Sequence, residues 1–280
     1  MANMSHHLQA MLRPSNPPAP IVLDTSRIQR LFHRREQEAK GRGLSYSLWL
    51  ALMTATAIGA DSEASMRVLY NHVTAPMGLE ESVAVAELMR EIGLRGIAVV
   101  SLPQIMDMLA AFHASLPPTV ASYLSTVPLC CVDAGNINLI NEQGERLWNA
   151  IHYPKGSVIE RKLAKAHPDL ANYVKNHVYG GLLARHRSPA VGRVMISICA
   201  IACLRASRPY SRQLVGHVDG LKKTWDDGSW RLDPDAGSGE GIRWLTSDEG
   251  CMWVIEVVDE LALSMTRGHA AGPMTTAAKL

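Results

Sequence analysis

Fourteen consecutive residues, 191–204 (VGRVMISICAIACL), are apolar almost all round and carry one charge, Arg193. A helix of this kind offers water no polar face and is too short to span a bilayer, so it must lie inside a core. Ser188-Pro189 supplies a helix start: a capping hydroxyl, then a residue with no N–H to leave unsatisfied. Pro209 breaks the run, and Tyr210 opens a second helix. There Leu214, His217, Val218 and Leu221 recur at i, i+3, i+4 and i+7, one inward stripe, so His217 points where a core leucine normally would. Tyr210 and Gln213 stand seven and four residues before it, on nearly the same side.

The same pattern occurs earlier. Residues 67–73 (RVLYNHV) and 212–218 (RQLVGHV) both read Arg-x-Leu-x-x-His-Val, and the histidines, His72 and His217, lie 145 residues apart (217 less 72). At that offset Ala55, Ala57 and Ser62 meet Ala200, Ala202 and Ser207, and in both copies the motif follows a long apolar helix. The sequence therefore predicts an all-α chain of two related helical units. Neither can bury its apolar face alone, so the two pack on each other.

Residues 1–22 form a Pro-rich arm without early acidic residues, expected to be mobile. Residues 23–115 are the first helical repeat and 116–140 a connector without clear periodicity. Residues 141–266 are the second repeat, and 267–280 a loose tail. Helices are expected near 25–40, 45–59, 65–74, 79–92, 103–114, 141–152, 156–166, 171–183 and 247–266. The stretch 225–244 (WDDGSWRLDPDAGSGEGIRW) is too long and aromatic for an ordinary connection, which predicts a lid or an interface flap. Its Asp233 and Asp235 do not make a calcium loop, because Gly237 and Trp244 stand where acids are required.

Five cysteines, an odd number, sit mostly in apolar helices, as expected of reduced thiols in an intracellular protein. A net charge of +2 gives no attraction for nucleic acid. Neither a secretory signal nor a membrane span is expected. The final Ala-Lys-Leu approximates a peroxisomal address, so the expected location is peroxisomal or cytoplasmic.

Residues 140–265 resemble the carboxymuconolactone decarboxylase and alkylhydroperoxidase D-like superfamily. The resemblance rests on Gly144-Glu145-Arg146, His167-Pro168-Asp169-Leu170, Tyr179-Gly180, Ser188-Pro189 with Arg193, Leu214-Val215-Gly216-His217-Val218 and Asp248-Glu249. His72, Gly78, Glu80-Glu81 and Pro103 stand at similar places in the first half. The resemblance implies an all-α fold and a homo-oligomer, dimer or trimer. The peroxidase branch carries Cys-x-x-Cys-x-x-x-His; here Tyr210 and Gln213 replace both thiols and only His217 remains. The glutamate typical of the decarboxylase branch is also absent at Gln213.

The function expected from these residues is a cofactor-independent enzyme, a lyase or isomerase, acting on a small organic carbonyl or acid metabolite of secondary metabolism. Decarboxylation, isomerisation, dehydration and cyclisation all remain open. His217 is the general acid/base, with a pKa that burial can tune. Tyr210 donates a hydrogen bond to a developing enolate or oxyanion, and Gln213 completes the catalytic set. His72, Arg212 and Trp230 are the candidate substrate-binding residues. No metal is expected, since no His-x-x-His or His/acid pair appears at helical spacing. The competing functions are a thiol peroxidase, for which Cys199 and Cys203 are read as packing residues and Cys130-Cys131 as structural, and a non-catalytic ligand carrier or scaffold.

Overall fold

The computed structural model describes Leu8, Met11 and residues 23–128, 132–184, 191–207, 211–233 and 236–266. Among them every regular element is helical. In chain order these are α1 (Thr25–Gly41), α2 (Tyr46–Gly59), α3 (Glu63–Thr74), α4 (Leu79–Gly96), α5 (Leu102–Ser115), α6 (Pro118–Tyr123), α7 (Ile137–His152), α8 (Gly156–Ala166) and α9 (Leu170–Tyr173). A π-helical segment (Val174–Leu183) continues α9. Then come α10 (Arg193–Ser207), α11 (Arg212–Asp226), a 3₁₀ turn (Ser229–Leu232), α12 (Gly239–Leu245) and α13 (Asp248–Thr266). No helix of the described residues is long and apolar enough to cross a membrane.

Serine and aspartate start these helices as the sequence suggests. Asp24, Ser45, Ser211 and Ser238 each accept an N–H three residues on, at 2.9–3.0 Å, which satisfies a donor the helix cannot. The centre belongs to α2 and α10, buried all round from Leu48 to Gly59 and from Val194 to Leu204. They pack directly on each other. A Cβ on Gly59 would stand 2.6 Å from the Cys203 carbonyl oxygen and 2.8 Å from its Cα. The Cys203 thiol donates to the Ala55 carbonyl oxygen at 3.2 Å across the same crossing.

The remaining helices surround this pair. Helix α1 docks on the body through buried Ile28, Leu31 and Phe32. Arg34 and Arg35 pair with Glu260 of α13, and the Trp253 indole N–H donates to Glu38 at 3.0 Å. A smaller core of Trp148, Ile151 and Tyr179 lies between α7 and the π-helical segment.

Three expectations change. The helix foreseen over 171–183 winds as α for only one turn and then as π, closing with an Ala184 N–H to Tyr179 C=O bond of 2.7 Å. The central helix begins at Arg193 rather than at Ser188-Pro189, which lies outside the described residues. Its first turn is satisfied from a distance, as the Asp233 carboxylate accepts the Met195 N–H at 3.1 Å. That contact also fixes the long aromatic stretch, which is no free flap. Asp233 and Ala236 are buried, Gly237 bridges to Leu44, and Trp225 stacks on Trp230 at 5.3 Å. No group of three or more metal-ligating side chains occurs among the described residues. Cys130-Cys131 and both chain ends beyond residues 23 and 266 lie outside the described residues, Leu8 and Met11 excepted.

Candidate functional site

Helix α11 turns Leu214, His217 and Leu221 inward, as the spacing requires, and all three are buried. His217 is 9% exposed, and its Nδ1 is sealed from solvent with no hydrogen-bond partner. It shares this state with other buried side-chain atoms, among them the Trp49 and Trp148 indole nitrogens and Ser197 Oγ, and each such atom costs about 1–3 kcal/mol. Burial, with a smaller contribution from nearby His152, pushes the imidazole pKa down from 6.5 to about 4. At neutral pH the ring is therefore uncharged, and one of its two nitrogens carries a lone pair.

His217 forms part of the wall of a cavity of about 50 Å³, room for roughly four water-sized spheres. The other walls come from the end of α4 (Arg95) and the turn after it (Val99), the π-helical segment (Tyr179, Leu183) and α10 (Cys199, Cys203). The cavity therefore sits where residues of the first half meet those of the second. Arg95 joins the two directly, giving one N–H to Glu91 at 3.0 Å and another to the Leu183 carbonyl of the π-helical segment.

Tyr179 owes its place to a tight crossing of backbones. A Cβ on Gly144 of α7 would meet the Lys175 carbonyl oxygen at 2.3 Å, and one on Gly180 would meet the Ile140 carbonyl oxygen at 2.5 Å. Only glycine at both positions lets α7 and the π-helical segment touch. This brings the Tyr179 hydroxyl 2.7 Å from His152 Nε2. Trp148 holds both rings, 4.2 Å from His152 and edge-on to Tyr179 at 5.0 Å. Burial, then the charge of Lys223, lowers the His152 pKa from 6.5 to about 4, and burial raises that of Tyr179. Lys223 and Arg193 tie this group to the central hairpin, Lys223 giving N–H to the Ile151 carbonyl (3.0 Å) and Arg193 to that of Ala150 (2.7 Å).

The residues foreseen from sequence divide accordingly. His217 lines the cavity. Tyr210 lies outside the described residues. Gln213 and Arg212 are exposed and do not line the cavity, because the inward sector of α11 runs through positions 214, 217 and 221 and leaves 213 at its rim. Trp230 stacks on Trp225 and under Arg231, away from the cavity. His72 is half-buried against Phe32 at 5.8 Å, its pKa lowered by burial first, and it too stands apart from the cavity. Arg95, His152 and Tyr179 were missed. Tyr179-Gly180 is a motif in the sequence, but nothing there links it to a histidine 27 residues earlier.

Cys199 and Cys203 face the cavity rather than solid core. Their thiols are nonetheless poor nucleophiles, since a thiolate is the reactive form. Burial, then Cys203, raises Cys199 well above the usual thiol value, and burial pushes Cys203 up to about 12. No family model, no curated protein and no solved structure matches the chain.

Proposed function

We propose that the chain is a cofactor-independent enzyme of the carboxymuconolactone decarboxylase-like type, acting on a small carbonyl-bearing or acidic metabolite with His217 as general acid/base. One observation carries the reading: a buried, uncharged imidazole whose Nδ1 has no protein partner on the wall of a cavity. A core histidine kept for packing would use its ring nitrogens on the protein. His217 Nδ1 has no such partner among the described residues, and a neutral imidazole can take a substrate proton on its free nitrogen.

Two helical repeats, the finer part of this reading, are supported by helix positions. Moved by 145 residues, α2 falls on 191–204 and α3 on 208–219, overlapping α10 and α11; α5 falls on 247–260, overlapping α13. The α4 region has no such counterpart, since its image at 224–241 holds the aromatic stretch. The cavity then belongs to the second repeat's histidine, roofed by Arg95 from the first.

A base with a pKa near 4 is unprotonated over the whole working range, so the rate of conversion should be flat from about pH 5 to pH 8. His217→Ala should slow conversion by about 100-fold to 10,000-fold. Turnover of a small carbonyl and organic-acid panel, followed by mass spectrometry, measures both. Equal conversion by the wild type and His217→Ala ends the general-base reading.

A further inference from the structure

We infer that Tyr179 is the second catalytic group of this cavity, the donor that holds a substrate oxygen, with His152 as its positioning partner. The site then abstracts a proton from carbon next to a carbonyl. The inference rests on the assignment of His217 above and adds the reaction class to it.

Three features of the structure carry it. Tyr179 is 6% exposed yet lines the cavity that His217 also lines. Its oxygen lies 2.7 Å from His152 Nε2, close enough to accept that ring's N–H and leave its own O–H free to point at a ligand. The arrangement is also expensive. It needs glycine at both 144 and 180, a π-helical turn and Trp148 against both rings, the kind of support a positioned group requires. The direction in which burial moves the phenol keeps it protonated at every working pH, as a donor must be.

The step balances without a cofactor. The unprotonated ring nitrogen of His217 takes the proton from the carbon next to the carbonyl, and the ring becomes imidazolium. The C–H electron pair becomes the C=C bond, and the carbonyl π pair moves to oxygen. Tyr179 O–H donates to that oxygen as it gains charge, while His152 Nε2–H donates to the Tyr179 oxygen. Return of the proton to the same carbon gives exchange, and return to a neighbouring one gives isomerisation.

The test uses the full-length protein in heavy water at neutral pH with hydroxyacetone and butanone, following loss of the carbon-bound protons by proton NMR. The wild type should exchange them well above a buffer blank. Tyr179→Phe should exchange about 100-fold more slowly or worse, the usual loss for one oxyanion donor. His152→Ala should lose at least about tenfold, and His152→Gln should recover most of it, since its amide N–H can still reach the Tyr179 oxygen; a residue needed only for packing would show no such rescue. If Tyr179→Phe does not fold, 3-fluorotyrosine at 179, a stronger donor, replaces it and should alter the rate. A Tyr179 variant exchanging at the wild-type rate while His217→Ala is inactive overturns the donor and leaves His217 as base. Equal exchange by the wild type and His217→Ala, or none by the wild type with either ketone, overturns both.

Discussion

Gly59→Val should abolish the native fold, and Gly59→Ala should cost about 2 kcal/mol, read as a lower urea midpoint with an unchanged slope. Two effects compete at this position. Alanine in place of a helical glycine gains about 1 kcal/mol from propensity. Against it, the new Cβ would lie 2.6 Å and 2.8 Å from backbone atoms of Cys203 and 2.9 Å from the Ala206 Cβ. Backbone cannot rotate aside as a flexible side chain does, so α2 and α10 must separate, and every contact in the shared centre loosens with them. Overpacking of this kind costs about 1–3 kcal/mol even where some relief exists, so the clash wins. Gly216 is the control. It stands mid-helix in α11 with nothing within 4 Å of its would-be Cβ, so Gly216→Ala should stabilise by about 0.5–1 kcal/mol. A neutral Gly59→Ala would mean that the two central helices do not cross there.

Acid should weaken the protein well before its carboxylates protonate. The His217 pKa is lowered from 6.5 to about 4 by burial first, so the unfolded chain binds a proton in that interval that the folded chain refuses. The stability tied to His217 is fully present above about pH 6.5 and is lost as pH falls towards 4. Its full extent is about 3 kcal/mol, from about 1.36 kcal/mol for each unit. His152 and His72 shift in the same direction and add to the slope. At Glu38, Asp227 and Glu260 burial is outweighed by hydrogen bonds and ion pairs, so these carboxylates are lowered from values already at 4.5 or below, and their losses come at lower pH. The two windows therefore separate. Urea unfolding at pH 7, 5.5 and 4.5 should show the loss in the wild type and a clearly flatter profile in His217→Leu, which has no ring to titrate. Parallel profiles would place the imidazole in water.

Much of the helical skeleton is legible in the residues. Runs such as residues 48–58 and 194–204 have no polar side, so they can only be central, and serine or aspartate followed by an apolar run marks where helices start. His217 is legible for the same reason, since a 3.6-residue period sets which way it points. What escapes is whatever depends on residues far apart in sequence. No local pattern brings Arg95, Tyr179 and His217 to one cavity wall, or joins His152 to Tyr179, which meet because glycines at 144 and 180 let two helices touch backbone to backbone. Nor does the run VKNHVYGGLL distinguish an α from a π period, and that difference decides where Tyr179 points. Gln213 stays out of the cavity wall for a simpler cause: sharing a side with His217 to within 40° is not enough at the edge of a buried sector.

The most direct measurement is an imidazole nitrogen NMR titration of histidine-labelled protein, with the His217 signal assigned by its loss in His217→Leu. A neutral ring through pH 5, protonating near pH 4, and an Nδ1 signal that moves when acetohydroxamate, a small enol mimic, is added are what a proton-transfer cavity requires. A ring that protonates near 6.5 and ignores the mimic would contradict it.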